Sequence, residues 1–477
     1  MAFYATTKPN TPCLIKDDTV ITYSQYWELI KVTAQRLQKL GVSEGKSVMV
    51  KFSQSIDFLS IQSAIQLAGG IFVPVEADTS DARIQDICSS TNACLFVSPS
   101  ESKIGCPIYS YEKLEKIEAD EACFKLPESE QTSEILFTTG TTGTSKGIEI
   151  SHRGSVAVAE NVYYGVMQKT GNTELIPVPV NHSYGLRRYY SNIIGGNTVV
   201  LMDSLVFIQN FFYLLDKYCV TALALVPAAV EIIFKLSKEK LGQYKNQLDY
   251  IQISTAPLPD YTREKLRRLL PNTRIYNFYG STEAGCACCY DTNMEWERIG
   301  CIGKPTVNAK FVVMDENGAL IKASAENPGL LACRGDMCMK GYWNDPEMTA
   351  EVFKNGYICS SDVGFIADDG YIYLIGRKGE IINIGGNKVA PSEIEEKAML
   401  YPDIEDCACV PIKDAIAGQV PKLFIVLNPK QNINLSSLSQ FLSENLESFK
   451  VPKEIKIIDS IPRTFNGKIQ RFKLREN

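Results

Sequence analysis

The chain has 477 residues, of which 45% are hydrophobic and 22% are charged. These fractions are typical of a globular protein and exclude disorder, collagen and coiled coil for the chain as a whole. The length predicts two or three domains. The net charge of −6 comes from 49 basic and 55 acidic residues that are dispersed along the chain, so we expect no nucleic-acid partner.

The fifteen cysteines are scattered, and the N-terminal segment lacks the charged-then-apolar pattern of a secretory signal. We therefore expect free thiols and a reducing, cytoplasmic location. The most apolar stretch, 221–234, contains Pro227 and Glu231 and is too short for a membrane span. The only histidines are His152 and His182, which excludes a multi-histidine metal site.

Helical periodicity alternates with short apolar runs over the first 280 or so residues. The spacing predicts helices after a capping box at Thr22–Gln25, near 56–67 and near 81–90. Predicted strands are Val48–Phe52, Ile71–Val75, Cys94–Ser98, Glu134–Thr138, Ala222–Val226, Tyr250–Ser254 and Arg274–Phe278. This alternation predicts an α/β fold, with a large N-terminal domain of largely parallel sheets flanked by helices.

The pattern changes after Gly376, where the order becomes helix, strand, strand, helix, strand. In the last predicted helix, which extends to Phe449, apolar residues recur at helical spacing. We therefore expect a small α+β domain at the C-terminus. The polar run Arg377–Glu380 includes a glycine that lets the backbone turn freely, so the predicted domains are 1–378 and 379–477.

A segment rich in threonine and glycine, Thr138–Gly147, follows one of the predicted strands. Its glycines let backbone amides approach an anion, its hydroxyls can donate to phosphate oxygens, and its lysine adds positive charge. The spacing is not that of a Walker A loop. The segment predicts a phosphate-binding loop with contacts from Thr138, Thr139, Gly140, Thr141, Thr142, Gly143 and Lys146.

This loop resembles the phosphate loop of the adenylate-forming superfamily, which includes acyl- and aryl-CoA ligases, adenylation domains and luciferases. It departs from the usual pattern only at Ser145, where proline is typical. Three further segments match in the same order. They are Tyr276–Glu283, which resembles the YGxTE motif; Ser361–Asp362 with Gly376–Glu380, which resembles TGD…GRxxD; and Pro462–Lys468, which resembles PRTxxGK.

The resemblance implies binding of ATP, Mg²⁺ and coenzyme A. It assigns Glu283 to Mg²⁺, and it brings Lys468, as a catalytic residue, to the reacting carboxylate and the α-phosphate. Tyr279 would contact adenine, Thr282 a phosphate, and Asp362 and Arg377 the ribose. The small domain would rotate between the two reaction steps about a hinge at Gly379.

The acyl substrate is expected near Val178–Gly185, a segment that resembles the one whose histidine lies beside the acyl carboxylate. His182 is therefore a candidate catalytic residue, with a core histidine as the alternative. Amino-acid-activating relatives carry an aspartate in this segment, and its absence disfavours an α-amino acid. Tyr184 and Arg188 share a face if the segment is helical. Arg188 either meets a polar or anionic substrate tail or forms a salt bridge at the surface.

Two further positions are expected to shape this pocket. Phe278 stands where many acyl- and aryl-CoA ligases have glycine, so its ring would shorten or narrow the pocket. Ala256 belongs to a segment that resembles the family's GGAPL wall, with two glycines replaced.

Three cysteines lie close to Glu283: Cys286, Cys288 and Cys289. Their spacing is not CxxC and no histidine is near, so we expect small apolar side chains beside the pocket and no zinc ligands.

Together these motifs favour an AMP-forming acyl-CoA ligase, which activates a small carboxylic acid as an acyl-adenylate and then forms a thioester with coenzyme A. The nearest alternative is a stand-alone enzyme that loads the acyl group onto the phosphopantetheine of a carrier protein. A nucleotide-binding protein without catalysis is the alternative from another functional class.

Overall fold

The computed structural model describes residues 1–100, 104–120, 124–139, 145–256, 258–298, 300–385, 387–428, 433–463 and 469–475. Up to residue 120 the strands are β1 (Pro12–Lys16), β2 (Thr19–Thr22), β3 (Ser47–Lys51), β4 (Ile71–Val75), β5 (Leu95–Val97) and β6 (Ile108–Tyr109). The helices of this part are α1 (Ala2–Thr7), α2 (Tyr23–Lys39), α3 (Ile56–Leu67), α4 (Asp81–Thr91) and α5 (Tyr111–Glu115).

The next part, up to residue 256, contains the strands β7 (Thr132–Thr139), β8 (Ser145–Ser151), β9 (Thr173–Ile176), β10 (Thr198–Leu201), β11 (Ala222–Leu225) and β12 (Tyr250–Ile253). Its helices are α6 (His152–Gly165), α7 (Ser183–Gly195), α8 (Ile208–Lys217) and α9 (Pro227–Ser237), followed by a 3₁₀ turn at Lys240–Tyr244.

From residue 258 to 377 the strands are β13 (Arg274–Ser281), β14 (Gly285–Asp291), β15 (Cys301–Pro305), β16 (Lys310–Met314), β17 (Gly329–Arg334), β18 (Gly341–Tyr342), β19 (Phe353–Lys354), β20 (Tyr357–Ile366) and β21 (Ile372–Arg377). The helices here are α10 (Asp260–Leu269) and α11 (Pro346–Val352).

The C-terminal part contains the strands β22 (Ile382–Ile384), β23 (Asn387–Val389), β24 (Ile404–Asp414), β25 (Gly418–Leu427) and β26 (Glu454–Ile457). Its helices are α12 (Pro391–Ala398), α13 (Leu435–Asn445) and α14 (Arg471–Arg475), with a 3₁₀ turn at Ser448–Lys450.

Local sequence signals explain several of these elements. The predicted capping box is confirmed at the start of α2, because the Thr22 hydroxyl accepts from Gln25 N at 3.3 Å and the Gln25 side chain accepts from Thr22 N at 2.9 Å. The predicted extension of α13 to Phe449 is wrong. The helix ends at Asn445, whose side-chain amide donates to Phe441 O at 2.8 Å, and the next residue is extended.

The described strands form three sheets. The large sheet has the order β16-β17-β20-β21-β15-β14-β13-β12-β11-β9-β10-β1-β2, and β19 pairs with β20. The strands β13, β12, β11, β9, β10 and β1 are parallel to one another. On the other side of β13, the strands β14, β15, β21, β20, β17 and β16 are each antiparallel to their neighbours. The predicted α/β fold is confirmed, but the parallel prediction did not include this antiparallel extension.

The second sheet has the order β18-β8-β7-β4-β3-β5-β6. The third has the order β23-β22-β25-β24, with β26 beside β25. Strand β21 of the large sheet ends at Arg377, and β22 of the third sheet begins at Ile382.

Helices α3, α6 and α7 lie between the first two sheets. Helix α3 contacts β3 and β4 on one side and β1 on the other, and α6 contacts β7 and β8 as well as β14. Helix α7 packs on β9 and β10 of the large sheet, and one of its arginines reaches β7 of the second sheet.

Two buried ion pairs connect α7 to the sheets. Arg187 pairs with Glu134 on β7, and Arg188 pairs with Glu174 on β9; all four side chains are at most 1% exposed. Arg188 Nε lies 2.6 Å from Glu174 Oε1, and its guanidinium also contacts the Gln252 and Tyr250 side chains. Burial lowers the pKa of Arg188, but the Glu174 carboxylate more than offsets this, so the pKa is raised and the guanidinium is charged.

We predict that Glu174→Gln destabilises the large domain by about 3–5 kcal/mol, because it leaves the Arg188 charge buried without a counter-charge. The measurement is urea unfolding followed by tryptophan fluorescence. The control is Asp368→Asn, whose partner Lys322 lies 3.8 Å away with both side chains over 90% exposed, and it should change the free energy of unfolding by less than about 0.5 kcal/mol. Equal unfolding midpoints for the two variants would contradict the prediction.

Candidate active site

Tyr279, Asp362 and Arg377 meet in the antiparallel part of the large sheet. Asp362 on β20 and Arg377 on β21 are directly opposite in the ladder, and Arg377 Nε donates to Asp362 Oδ1 at 3.2 Å. The Tyr279 hydroxyl donates to Asp362 Oδ2 at 2.5 Å. Burial and the Asp362 carboxylate raise the pKa of Tyr279, so the phenol keeps its proton. The structure thus brings together three residues from two of the predicted nucleotide motifs.

Glu283 lies in the turn between β13 and β14, close to the second sheet. Its Oε1 accepts from the Tyr342 hydroxyl at 3.2 Å, and the Lys146 ammonium lies 5.2 Å from the centroid of the same tyrosine ring. The second carboxylate oxygen has no hydrogen-bond partner among the described residues. A hard carboxylate oxygen without a described partner, on the same tyrosine as the lysine of the predicted phosphate loop, fits the coordination that Mg²⁺ prefers.

The predicted phosphate loop connects two antiparallel strands. Thr138 on β7 is opposite Lys146 on β8, so the lysine belongs to a strand and the loop is shorter than the predicted segment. Thr282 lies half-buried in the turn before β14. Several predicted contacts fall outside the described residues: Gly140, Thr141, Thr142, Gly143, the Thr139 side chain and the catalytic candidate Lys468.

His182 lies at the N-terminal end of α7, facing the end of β4. Its Nε2 is 3.3 Å from Glu76 Oε1, and Asn181 Nδ2 donates to Glu76 Oε2 at 3.0 Å. Burial lowers the pKa of His182, and the Glu76 carboxylate opposes this shift only partly. The imidazole is therefore neutral at pH 7 and can accept or donate a hydrogen bond.

The segment after His182 is helical, so Tyr184 and Arg188 lie one turn apart on α7. The Tyr184 hydroxyl lies 2.9 Å from Gln252 O and 3.1 Å from Leu225 O, which fixes the ring against β11 and β12. Arg188 differs from both sequence-based alternatives. Its salt bridge is in the interior and not at the surface, and its counter-charge is supplied by Glu174 and not by a substrate.

Phe278 lies on β13, and Ala256 follows the neighbouring strand β12. Phe278 is 3% exposed and packs against the last residue of α6, since a Cβ built on Gly165 would lie 2.6 Å from Phe278 Cζ. Ser254 Oγ donates to Phe278 O at 3.0 Å and ties the predicted pocket wall to β13. Ala256 is half-buried just beyond β12.

The three cysteines after Glu283 lie on β14, and burial keeps them protonated: it raises the pKa of Cys286 to about 11 and that of Cys289 to about 12. In the part of the chain that the structure describes, no cluster of three or more histidine, cysteine or acidic side chains could hold a metal ion. All described cysteines are free.

Sequence reasoning missed Glu76, Glu134, Glu174 and Tyr342. Glu76 directly follows a buried strand, and both Glu134 and Glu174 interrupt apolar strands. Because charged residues are rarely buried without a partner, these two glutamates were the available signal for the buried ion pairs. Tyr342 lies on a two-residue strand, which is too short for any periodic signal.

The chain matches two protein-family models. The family model of the AMP-binding enzymes matches residues 2–343, and that of the AMP-binding enzyme C-terminal domain matches residues 393–468. The chain belongs to the AMP-binding enzyme family. The predicted superfamily and the predicted class, an AMP-forming acid–thiol ligase, are confirmed.

Two plant relatives and two solved structures are similar over nearly the whole chain. The 4-coumarate–CoA ligases of Petroselinum crispum and Vanilla planifolia are 30% and 29% identical, each over 97% of this chain and 90% of theirs. The o-succinylbenzoate CoA synthetase of Bacillus subtilis, solved with its acyl-adenylate, has a TM-score of 0.89 at 21% identity and covers 100% of this chain and 97% of that one. ATP-bound MatB of Rhodopseudomonas palustris also has a TM-score of 0.89, at 20% identity over 99% and 98% of the two chains. These structures share the fold.

None of the described helices is both long and apolar enough to cross a bilayer.

We predict that Glu76→Gln lowers the pKa of His182 further, because it removes the carboxylate that partly offsets burial. The pKa of the other histidine, His152, is also lowered by burial, but Glu134 is the carboxylate that opposes this. In a titration of the imidazole C–H resonances by NMR, the midpoint of His182 should move to lower pH in Glu76→Gln. The midpoint of His152 should stay the same. Movement of both or of neither would contradict the assignment.

The lowered pKa of His182 in the wild-type chain also makes its stability depend on pH. Since the pKa of His182 is lower in the folded chain than in the unfolded chain, the unfolded chain binds more protons as the pH falls below about 6.5. This histidine therefore contributes full stability above that pH and progressively less below it.

Proposed function

We propose that this chain activates a carboxylic acid with ATP and transfers the acyl group to coenzyme A. The observation that carries the proposal is the convergence of the predicted motifs: Tyr279, Asp362 and Arg377 form one hydrogen-bonded cluster, and Glu283, in the turn after Tyr279's strand, is linked through Tyr342 to Lys146.

The chemistry has two steps. A substrate carboxylate oxygen forms a bond to the α-phosphorus of ATP while the bond to pyrophosphate breaks, which gives an acyl-adenylate. The thiolate sulfur of coenzyme A then forms a bond to the acyl carbon, and AMP leaves. The substrates supply both nucleophiles, so the protein contributes positioning and charge stabilisation.

The nucleotide end of the site is assigned as follows. Asp362 holds the ribose hydroxyls with Arg377 beside it, and Tyr279 lies against the adenine. Lys146 and the loop from Thr138 hold the phosphates, with Thr282 beside them. Glu283 would hold Mg²⁺, which when bound neutralises charge on the phosphate oxygens.

The acyl end of the site has fewer charged groups. We assign neutral His182 as a hydrogen-bonding group beside the reacting carboxylate, and Lys468, by family resemblance, as the cation that approaches it. Arg188 is not included, because Glu174 already neutralises its guanidinium inside the protein. Tyr184, Ala256 and Phe278 form the walls of the acyl pocket.

Coenzyme A is favoured over a carrier protein as acceptor because the similar curated proteins are CoA ligases. We also propose a reducing, cytoplasmic location, which rests on the scattered cysteines of the sequence.

We also propose that residues 1–378 and 379–477 act as two domains that rotate about Gly379. The turn that contains Gly379 connects the large sheet to the third sheet, and a Cβ at this position would meet no atom within 4 Å. The space beside the Gly379 Cα is therefore open, and rotation there would have to break the hydrogen bond that Arg475 Nη2 donates to Gly379 O at 2.7 Å.

The test is a panel of short aromatic, medium-chain and long-chain acids, assayed for pyrophosphate release with ATP and Mg²⁺. We expect release with a short or aromatic acid, and an acyl-CoA product by mass spectrometry when coenzyme A is added. Absence of release with every acid would refute adenylation. A thioester that forms only on holo carrier protein would refute coenzyme A as acceptor.

We predict that Phe278→Ala lengthens the acyl pocket. Acids longer by two or three methylenes should gain about tenfold or more in kcat/KM relative to the best wild-type substrate, since one methylene in an apolar pocket changes discrimination by about 10–200-fold. The matched control is Phe212→Ala, which removes a ring that is 2% exposed in the core around α8 and α9. The control should lose stability without a change in chain-length preference. The same preference in Phe278→Ala as in the wild type would place this ring outside the pocket.

A further inference from the structure

Tyr342 lies on β18, a strand of only two residues whose surroundings fix its position from several sides. Strand β18 pairs with β8 directly after the phosphate loop, and the flanking Trp343 N donates to Gly147 O at 2.7 Å. On the other flank, Met339 N donates to Glu283 O at 2.8 Å. The Tyr342 amide itself donates to Thr349 Oγ1 at 2.9 Å. This short segment therefore joins the turn that carries Glu283 to the strand that carries Lys146.

The Tyr342 side chain contacts both of those charged groups. It is 8% exposed, its hydroxyl lies 3.2 Å from Glu283 Oε1, and the Lys146 ammonium lies 5.2 Å from its ring centroid. Burial and the Glu283 carboxylate raise the pKa of Tyr342, so the phenol is protonated and donates the hydrogen bond. The ammonium is within the distance at which an aromatic ring attracts a cation.

The two charges do not pair with each other. Among the described residues, no carboxylate lies within 4.0 Å of Lys146 Nζ. Instead, a neutral phenol orients both groups. A direct ion pair would cancel the charge that each group needs for its own ligand, whereas a hydrogen bond and a cation–π contact orient them without neutralising them.

We propose that Tyr342 is a positioning residue for the metal–triphosphate site. It holds the Glu283 carboxylate for Mg²⁺ and the Lys146 ammonium for a phosphate, at a fixed separation. This inference rests on the proposed function, because it takes Glu283 and Lys146 as the groups that meet Mg²⁺ and the phosphates.

Tyr342→Phe removes the hydroxyl and keeps the ring. Binding of ATP should be measured by calorimetry over a series of Mg²⁺ concentrations, with AMP as the reference ligand. The half-saturating Mg²⁺ concentration should rise about tenfold, the size expected for loss of one hydrogen bond to a charged group. AMP binding should stay unchanged, because AMP lacks the β- and γ-phosphates. Tyr342→Leu, which also removes the ring, should in addition weaken ATP binding without Mg²⁺.

The comparison of the two ligands separates positioning from a general structural role. A general loss of packing would weaken the binding of ATP and AMP alike. Loss of the hydroxyl that holds Glu283 should weaken only the binding of ATP with Mg²⁺.

The control is Tyr164→Phe, in which an exposed tyrosine loses its hydroxyl, and which should leave Mg²⁺ dependence and AMP binding as in the wild type. An unchanged Mg²⁺ dependence in Tyr342→Phe, or equal losses of ATP and AMP affinity, would overturn the inference. Failure of the wild type to bind ATP with Mg²⁺ would overturn the proposed function together with it. A wild type that binds ATP and releases pyrophosphate, with a Tyr342→Phe variant that behaves identically, would overturn the role of Tyr342 alone.

Discussion

Two consecutive arginines on one helix, directed to two different sheets, connect α7 to both sheets of the large domain. Arg187 reaches Glu134 on β7 of the second sheet, and Arg188 reaches Glu174 on β9 of the large sheet. Removing four charges from water costs several kcal/mol for each ion, and this is offset only when both pairs form with good geometry. A rotation of α7 by one residue, about 100°, would bury both guanidinium groups without their counter-charges. The ion pairs therefore fix the rotation of this helix between the sheets.

The fixed rotation of α7 sets the positions of the site residues at its N-terminal end. Other side chains donate to the two carboxylates: Asn192 Nδ2 and the Tyr250 hydroxyl donate to Glu174, at 2.7 and 2.9 Å, and the Tyr190 hydroxyl donates to Glu134 at 3.0 Å. Because α7 begins directly after His182, a helix that cannot rotate holds this histidine at the end of β4, where Glu76 faces it. The same rotation aims Tyr184 at the backbone of β11 and β12. Charges that take no part in the chemistry thus position the residues proposed for it.

Local structure and motif order could be predicted from the sequence, whereas long-range pairing could not. Helix α3 and strand β4 have the predicted bounds, because each is defined by its own apolar pattern. The residues of the nucleotide cluster were identified by motif resemblance, but the contact of Asp362 with Arg377 comes from the register of β20 with β21, and Tyr279 reaches Asp362 from the separate strand β13. Arg188 shows most clearly which contacts the sequence could not predict. An arginine is expected at a surface or against a ligand, and its burial depended on a glutamate in a separate strand that only the folded chain brings near.

Where the large domain contacts the C-terminal sheet, the charges are exposed or mismatched, in contrast to the buried ion pairs of α7. Lys235 on α9 lies 2.8 Å from Glu405 on β24 with 75% of the lysine side chain exposed, so this pair is worth about 0–1 kcal/mol. Nearby, the Glu396 carboxyl on α12 faces Asp260 and Arg263 of α10. Burial, and then Asp260, raise its pKa to about 7, which means that two acids oppose each other here once Glu396 is ionised. Buried ion pairs are costly to separate, and exposed or mismatched charges are not. The distribution of charge therefore stabilises the interior around α7 and contributes little to the contact with the small sheet, which is what the proposed rotation about Gly379 requires.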